Sequence, residues 1–266
     1  MGVLRVVMLG DIVGMPGVAA VRAVVPVIRQ RWSPDLLIAN AENAADGSGL
    51  TPTLYDKLRE AGVEAMTLGD HVFKKKGIVS KLETEATLIR PANLSAKAAG
   101  RGWMKLTPAS GGGKRNLYVT TVLGRLFLSL PADDPFAAVD RVLGELPEKN
   151  PLVLVEAHME ATSEKIALGY YVDGRVAAVV GTHTHVATAD ARILRGGTGF
   201  ITDLGMSGPH ESIIGRNVEA VVHQMTTAMH APFDVAAGDV KVNGVCLDLD
   251  EATGRCVAIE RIELVP

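Results

Sequence analysis

The chain has 266 residues, of which 47% are hydrophobic, enough for one large α/β domain or for one domain with a small appendage. Its formal net charge of −3 excludes a protein that binds nucleic acid through bulk positive charge. The two cysteines, Cys246 and Cys256, indicate reduced structural thiols, although opposite positions on a hairpin would bring them close together.

The N-terminal segment predicts a first strand and not an export signal. Its apolar run over residues 3–9 ends at Gly10 and Asp11, without the basic start, long apolar stretch or cleavage site of a signal peptide. No apolar run approaches the ~20 residues that cross a bilayer. We therefore expect a cytoplasmic protein that does not bind membranes.

Strand and helix patterns alternate through the first half of the chain, which favours βαβ units and a largely parallel sheet. Pro16 suits the first turn of the first helix, and Thr51 with Pro52 suits the start of the second. The predicted elements are, in order, a strand over 3–9, a helix over 16–32, a strand over 35–39, a helix over 51–61, a strand over 64–68, a helix over 74–83 and a short strand over 87–94.

The second half continues the alternation and ends differently. A glycine run at 111–113 predicts an exposed turn rather than a phosphate loop, because no helix start follows it. The segment over 239–265 alternates around a turn and predicts an antiparallel hairpin. The remaining predicted elements are strands over 116–124 and 125–131, a helix over 134–146 capped by Asp133 or Asp134, a strand over 151–157, a helix over 162–172, strands over 176–180 and 197–205, a loop over 206–215 and a helix that ends near 227.

Acidic, amide and imidazole side chains follow five of the predicted strands. They are Asp11, Glu42, Asn43, Asp70, His71, His158, His183 and His185. Because strand carboxyl ends share one edge of an α/β sheet, we expect these side chains to meet there. Carboxylates and imidazoles without thiolates suit iron, manganese or zinc. The donors exceed the needs of one ion, so the pattern predicts a two-metal hydrolytic centre, typical of phosphoester hydrolysis.

Individually, several of these residues also have a structural explanation. Asp11 could cap the next turn or helix, and a lone buried histidine such as His158 is usually a satisfied core residue. Glu42 beside Asn43 at the end of a buried strand is costly unless it is paired or metal-bound. His183 and His185 share one side of an extended segment. The combination of all five segments is what indicates a metal centre.

Other polar residues carry weaker signals. His210 lies in a predicted loop and could face the same cavity, whereas His223 and His230 favour structural or surface positions. The lysines at 74–76 favour a solvated helix face, with a phosphate contact as the alternative. The chain contains neither a GxSxG elbow nor the GxGxxG spacing of a dinucleotide site.

These motifs together resemble those of the bacterial 2′,3′-cyclic-nucleotide 2′-phosphodiesterase family, within the calcineurin-like metallophosphoesterases. The matching segments are GDIVGMPG, IANAEN, LGDH, RPAN, ADDPF, AHMEATSEK, DGRVAAVVGTHTHVATAD, GGTGFITDLGMSGPHESIIG and ATGRCVAIERI. They span essentially the whole chain and are densest over 156–217. The resemblance implies an α/β layered sandwich of mixed sheets flanked by helices, with a C-terminal β-hairpin. We expect a single domain over 1–266, in which 72–116 could form a small accessory or cap region.

The resemblance also implies a role for each candidate residue. Asp11, Asn43 and His185 would hold the first metal, and Glu42 would bridge the two ions. Asp70, His158 and His183 would hold the second metal. His71 would donate a proton to the departing alkoxide after attack by metal-bound hydroxide. Two ions per chain are expected, iron first, with manganese or zinc as alternatives.

One departure from the family pattern lies at Asp70. The family usually has Gly-Asn-His where this chain has Gly-Asp-His, so an anionic ligand replaces a neutral amide. We hypothesise an altered metal preference or slower turnover, with the site retained. Val72, Phe73 and Lys74 also depart from the expected residues, which affects the substrate contacts.

The sequence therefore predicts a metal-dependent phosphodiesterase that acts on small phosphodiesters, with 2′,3′-cyclic nucleotides as the implied class. A phosphomonoesterase with the same metals is the enzymatic alternative. A regulatory protein that binds a nucleotide or phosphate through the metals with little turnover is the non-enzymatic one. The expected partner is the small substrate, without a stable nucleic-acid complex, and we expect a homo-oligomer.

Overall fold

The computed structural model describes residues 2–109 and 115–266. In that part of the chain, six helices and fourteen strands form an α/β fold with two mixed sheets. The strands are β1 (Val3–Leu9), β2 (Asp11–Ile12), β3 (Leu36–Asn40), β4 (Ala65–Thr67), β5 (Leu88–Ile89), β6 (Trp103–Leu106), β7 (Leu117–Leu123), β8 (Leu152–His158), β9 (Ala178–Thr182), β10 (Arg192–Ile193), β11 (Gly199–Ile201), β12 (Met206–Glu211), β13 (Gly238–Asp250) and β14 (Cys256–Leu264). The helices are α1 (Gly14–Trp32), α2 (Pro52–Glu60), α3 (Ile78–Thr84), α4 (Pro135–Glu145), α5 (Thr162–Tyr171) and α6 (Val218–Thr227).

The first sheet has eight strands in the order β2-β12-β13-β1-β3-β4-β5, and β14 also pairs with β13. The strands β1, β3, β4 and β5 run parallel, while β13 is antiparallel to β1. The second sheet has the order β10-β11-β9-β8-β7-β6, in which β7, β8, β9 and β11 are parallel. Both sheets are therefore mixed, as predicted.

Side-chain alternation along β1 places the first sheet between two hydrophobic layers. Val7 and Leu9 join the cluster that also holds the buried faces of α1, α2 and α3. Val6 and Met8 point the other way, into a cluster shared with β7 and β8 of the second sheet. A third cluster packs α4 and α5 on the opposite face of that sheet. The layers thus run helix, sheet, sheet, helix, which confirms the predicted sandwich.

Local capping chemistry places the starts of two helices where the sequence predicts them. Thr51 accepts a hydrogen bond from the Leu54 amide, with Pro52 at the first helical position of α2. Asp134 accepts from the amides of Phe136 and Ala137 at the start of α4. The cap of α4 is therefore Asp134 rather than Asp133.

The strand predicted over 125–131 is wrong. These residues follow β7 as bends, and Phe127 has a φ of 65°, which interrupts an extended chain. The Phe127 side chain is 85% exposed, and Leu126 is exposed as well. Leu128 and Leu130 are partly buried against the cluster that holds Val7 and Leu9, so apolar residues of this segment contact the core without forming a strand.

Other elements differ from the prediction in extent or type. The loop predicted over 206–215 begins with β12, which pairs with the distant β13 and β2. Helix α3 starts at Ile78 rather than at residue 74. Strand β6 was not predicted, and the glycine run at 111–113 lies outside the described residues.

The predicted C-terminal hairpin is confirmed as β13 and β14. In its register Cys246 lies opposite Glu260, and Cys256 lies opposite Leu249. The two cysteines are therefore not cross-strand neighbours, and both are free and buried. Within the described ranges, no helix combines the length and apolar character needed to cross a membrane.

Burial should make both thiols unreactive in the folded protein. It raises the pKa of Cys246 and of Cys256 to about 12, so both remain protonated at about pH 8. We expect the native protein to react negligibly with 5,5′-dithiobis(2-nitrobenzoate) at that pH. The same protein in concentrated urea should titrate two thiols. Rapid reaction of two thiols before denaturant is added would contradict the burial of the hairpin.

Candidate metal centre

The edges of both sheets meet at a single cluster of polar side chains. Asp11 lies in β2, and the chain segments that follow β3 and β4 add four more residues. From the second sheet, β8 ends with one histidine and the segment after β9 supplies two more. The eight residues are Asp11, Glu42, Asn43, Asp70, His71, His158, His183 and His185, and we refer to them as the centre. Sequence reasoning placed them on one sheet edge, whereas two sheets contribute them.

Four of these residues form a compact donor group. Ligand atoms of Glu42, Asp70, His158 and His183 all lie within 4.8 Å of one another. The His158 Nε2 atom is 3.1 Å from Asp70 Oδ1, 3.2 Å from Glu42 Oε1 and 3.2 Å from His183 Nδ1. Two carboxylates and two imidazoles at this spacing suit a divalent cation of the iron, manganese or zinc type.

A second group lies beside the first and shares Glu42 with it. Asn43 Nδ2 donates to Glu42 Oε1 at 3.3 Å and to His185 Nε2 at 3.1 Å. His185 Nε2 lies 4.0 Å from Asp11 Oδ1. Glu42 Oε1 therefore stands between the two groups of donors.

The charges of the centre are only partly compensated by its own side chains. Burial raises the pKa of Asp11 to about 7, and its Oδ1 atom has no hydrogen-bond partner among the described residues. Burial alone would lower the pKa of His158, but Glu42 and Asp70 hold it well above its usual value. For Glu42, burial acts to raise the pKa, but the charge and hydrogen bond of His158, together with the charge of His71, hold it below its usual value. A buried carboxylate oxygen without a donor is expensive, so the residues fit a bound cation.

Buried neighbours fix the ring of His158. The Thr182 hydroxyl donates its hydrogen to Glu156 Oε1 at 2.7 Å, so its oxygen accepts from His158 Nδ1 at 2.9 Å. Nδ1 therefore keeps its proton, and loss of the Nε2 proton to a bound cation would leave Nε2 directed at the acids of the centre as a ligand atom. Asn40 supports the same region, because its Nδ2 donates to Glu156 and its Oδ1 accepts from the Glu42 amide.

The segment after β9 is held by a buried ion pair that the sequence did not reveal. Lys165 donates to Asp203 Oδ2 at 2.6 Å, with both side chains almost completely buried. The same carboxylate oxygen accepts from the amide and hydroxyl of Thr184. His183 and His185, on either side of Thr184, have backbone φ angles of 97° and 67°, which residues other than glycine rarely adopt. The ion pair therefore stabilises a backbone that turns both rings toward the centre.

His185 is oriented from the opposite side. Its Nδ1 donates to the carbonyl of Ile214 at 2.9 Å, which leaves Nε2 directed at Asn43 and Asp11. Burial lowers the pKa of His185. The ring is therefore neutral in neutral solution, as a metal ligand must be.

His71 differs from the other histidines in its exposure. Its side chain is 28% exposed, and its Nε2 lies 3.7 Å from Asp70 Oδ2. Its Nδ1 donates to Asn43 Oδ1 at 2.6 Å, and its backbone amide donates to Glu42 Oε2. The ring is thus anchored on the donor groups and still open to a ligand.

The weaker sequence candidates lie outside the centre. His210 belongs to β12, where it donates to the carbonyl of Gly208 and accepts from Asn243. Lys75 pairs with Asp46 at 3.1 Å. His223 and His230 are exposed, as expected for surface residues.

The helix–sheet–sheet–helix sandwich with this donor set defines a protein of the metallophosphoesterase type. The chain belongs to the YmdB-like protein family, whose sequence profile matches residues 7–262. It is 43% identical over 259 residues to a Bacillus subtilis protein named 2′,3′-cyclic-nucleotide 2′-phosphodiesterase, a match that covers 97% of this chain and 96% of the other.

Solved structures of similar proteins have the same fold. A Mycoplasma pneumoniae structure described as a novel phosphatase has a TM-score of 0.92 and 31% identity, covering 99% of this chain and 94% of that one. A 5′-nucleotidase from Candida albicans has a TM-score of 0.55 at 13% identity, covering 97% of this chain and 50% of that one, and shows likeness of fold alone. The prediction that the chain is a phosphoesterase-type enzyme is confirmed.

The close packing of the centre depends on the absence of a side chain at residue 69. A Cβ added to Gly69 would collide with His158 Nε2 and Glu42 Oε2. We therefore expect Gly69→Ala to displace both candidate ligands and to weaken Mn²⁺ binding about tenfold or more, the scale seen when ligand positioning is disturbed. Competition with a chelator would measure this affinity.

Gly144→Ala provides a matched control, because nothing lies within 4 Å of a Cβ built there. That variant should bind Mn²⁺ as the parent does and should unfold at the same temperature or slightly higher. Equal Mn²⁺ affinity in Gly69→Ala and Gly144→Ala would show that the contact at residue 69 does not matter for metal.

Proposed function

We propose that the protein is a phosphodiesterase that depends on two metal ions and hydrolyses small phosphodiesters, with 2′,3′-cyclic nucleotides as substrates. The observation that carries the proposal is the joining of two donor groups through one carboxylate oxygen of Glu42. The name of the Bacillus subtilis relative supports the substrate class. Cytoplasmic location, homo-oligomerisation and an accessory role for 72–116 remain predictions.

The residues would divide into two ligand sets. Asp11, Asn43 and His185 would hold one ion, Asp70, His158 and His183 would hold the other, and Glu42 would contact both. Iron is the first expectation, with manganese or zinc as alternatives for these donors. Two such ions would supply an acidified water nucleophile and would neutralise charge on the phosphoryl oxygens.

The contact between His71 and Asn43 suggests how the catalytic proton is kept on His71 Nε2. A half-turn of the Asn43 amide exchanges its oxygen and nitrogen without moving the side chain. The oxygen then faces Glu42 and His185 as a ligand, and the nitrogen donates to His71 Nδ1. A neutral His71 would then carry its proton on Nε2, on the accessible side of the ring, where it can protonate a departing alkoxide.

The charge of the centre favours a diester over a monoester. Three carboxylates, from Asp11, Glu42 and Asp70, offset most of the charge of two divalent ions. The small remaining charge, which a metal-bound hydroxide would cancel, attracts a dianionic monoester less strongly than a more positive centre would, and this favours a monoanionic diester. Asp70, the residue that departs from the family pattern, contributes one of these three negative charges.

His71→Ala should separate proton donation from metal binding. We expect the variant to keep about two ions per chain and to lose ~10²- to 10⁴-fold in kcat on 2′,3′-cyclic AMP, the usual contribution of a general acid. Elemental analysis and a kinetic assay would give both quantities. His223→Ala, on the exposed face of α6, should change neither. Loss of metal from His71→Ala would mean that this residue is a ligand.

Asp70→Asn should change selectivity through charge. Removal of one negative charge should lower the ratio of bis-p-nitrophenyl phosphate hydrolysis to p-nitrophenyl phosphate hydrolysis. It should also alter the ratio of iron to manganese taken up from a mixture. Both ratios are measured on the same preparation. Identical metal content and kinetics in the parent and the variant would overturn the role assigned to Asp70.

A further inference from the structure

A cavity of about 730 Å³ lies apart from the centre, between β6, the C-terminal half of α4 and the segment after β5. None of the eight residues of the centre lines it. Its volume is in the range of cavities that hold small molecules. Small residues, among them Ala92, Ala96 and Gly100, leave the space open.

Arg90 is the buried charge of this cavity. It is 7% exposed and donates to the carbonyls of Pro91 at 2.8 Å and Ala98 at 3.4 Å. Among the residues that the structure describes, no carboxylate forms an ion pair with it. A buried guanidinium that has only carbonyl partners keeps its full positive charge uncompensated.

A second guanidinium lies next to the first. Arg141 of α4 donates to the carbonyl of Ala92 at 2.6 Å, and Arg90 donates to that of Pro91. These two carbonyls are consecutive in the chain, so the two guanidinium groups converge on one stretch of backbone. Burial lowers the pKa of Arg90, and the charge of Arg141 lowers it further. Both groups line the cavity.

Of the two acids that line the cavity, Glu145 pairs with Arg141, and within the described residues neither pairs with Arg90. Glu145 accepts from Trp103 Nε1 at 3.2 Å and lies 3.8 Å from Arg141 Nε. Asp133 lies on the exposed rim. Arg101 and Lys105 add two exposed positive charges, so four basic and two acidic residues line the cavity.

We propose that this cavity is a binding site for a small phosphate-bearing anion, with the phosphate held between Arg90 and Arg141. Guanidinium groups match phosphate oxygens with two parallel hydrogen bonds, and the pairing is strongest away from bulk water. The anion supplies a negatively charged partner, which Arg90 does not have among the described residues. The indole of Trp103 forms one wall of the same cavity and can report on its occupation. The proposal is independent of the reaction proposed for the centre.

The alternative is that Arg90 only fastens the loop through its two carbonyl contacts. Arg59 provides the comparison, because it also donates to main-chain carbonyls, including that of Val63, and it does not line the cavity. If the cavity binds phosphate, replacement of Arg90 should weaken phosphate binding and replacement of Arg59 should not. If Arg90 has a purely structural role, the two replacements should have the same effect on phosphate binding.

The test follows tryptophan emission of the metal-loaded protein during titration with inorganic phosphate at constant ionic strength. We expect a saturable change in the parent, no change with the uncharged nucleoside adenosine, and loss of the signal in Trp103→Phe. The midpoint should rise at least about tenfold in Arg141→Gln, equivalent to about 1.4 kcal/mol, and saturation should disappear in Arg90→Gln. Arg59→Gln should titrate like the parent.

Circular dichroism establishes that each variant is folded. If Arg90→Gln does not fold, the phosphate midpoint of Arg141→Gln tests the proposal, because the Arg141 side chain is partly exposed and its replacement should be tolerated. Absence of a saturable change in the parent would overturn the proposal. So would equal midpoints in the parent and in Arg141→Gln, because phosphate would then act elsewhere, for example at the centre. Binding of adenosine would also overturn it, since the cavity would not be recognising phosphate.

Discussion

The buried carboxylate of Glu42 is the group on which the arrangement of the centre depends. One of its oxygens lies between His158 of the second sheet and Asn43 of the first, and the other accepts the His71 amide. Burial of such a charge is tolerable only where donors or cations surround it on several sides. The carboxyl edges of the two sheets therefore have to meet at this residue.

The hydrophobic layer between the two sheets holds their carboxyl edges in fixed positions. Val6 and Met8 of β1 and Val119 of β7 belong to one buried cluster, so neither sheet can slide without opening the core. The donors extend directly from the ends of these packed strands. His158 is itself the last residue of β8, and its ring is fixed by Thr182 at the end of β9. Positions set by strands are more reproducible than positions set by long loops.

Much of the centre could be predicted because its residues follow apolar strands directly, a pattern that is local in sequence. All eight candidates are brought together. The parts that were missed depend on distant pairing: β12 contains Gly208 and Pro209, which favour a loop, and it is a strand only because β13 and β2 lie beside it. The division into two sheets also could not be read from local patterns. The opposite error, a strand predicted over 125–131, arose from alternating apolar residues, of which Leu128 and Leu130 contact the core from an irregular segment.

Asp203 shows why the same local pattern has two outcomes. It lies two residues after the end of β11, as Asp11 does after β1 and Glu42 after β3, so the local pattern alone does not distinguish it from them. Lys165 lies within 2.6 Å of Asp203 and neutralises it, so Asp203 acts as a support for Thr184. In the described part of the chain, Asp11 and Glu42 form no ion pair with a lysine or arginine. Among the described residues, histidines are their only ionisable partners of opposite sign, and neutral histidines can bind metal, so this donor set fits a bound cation.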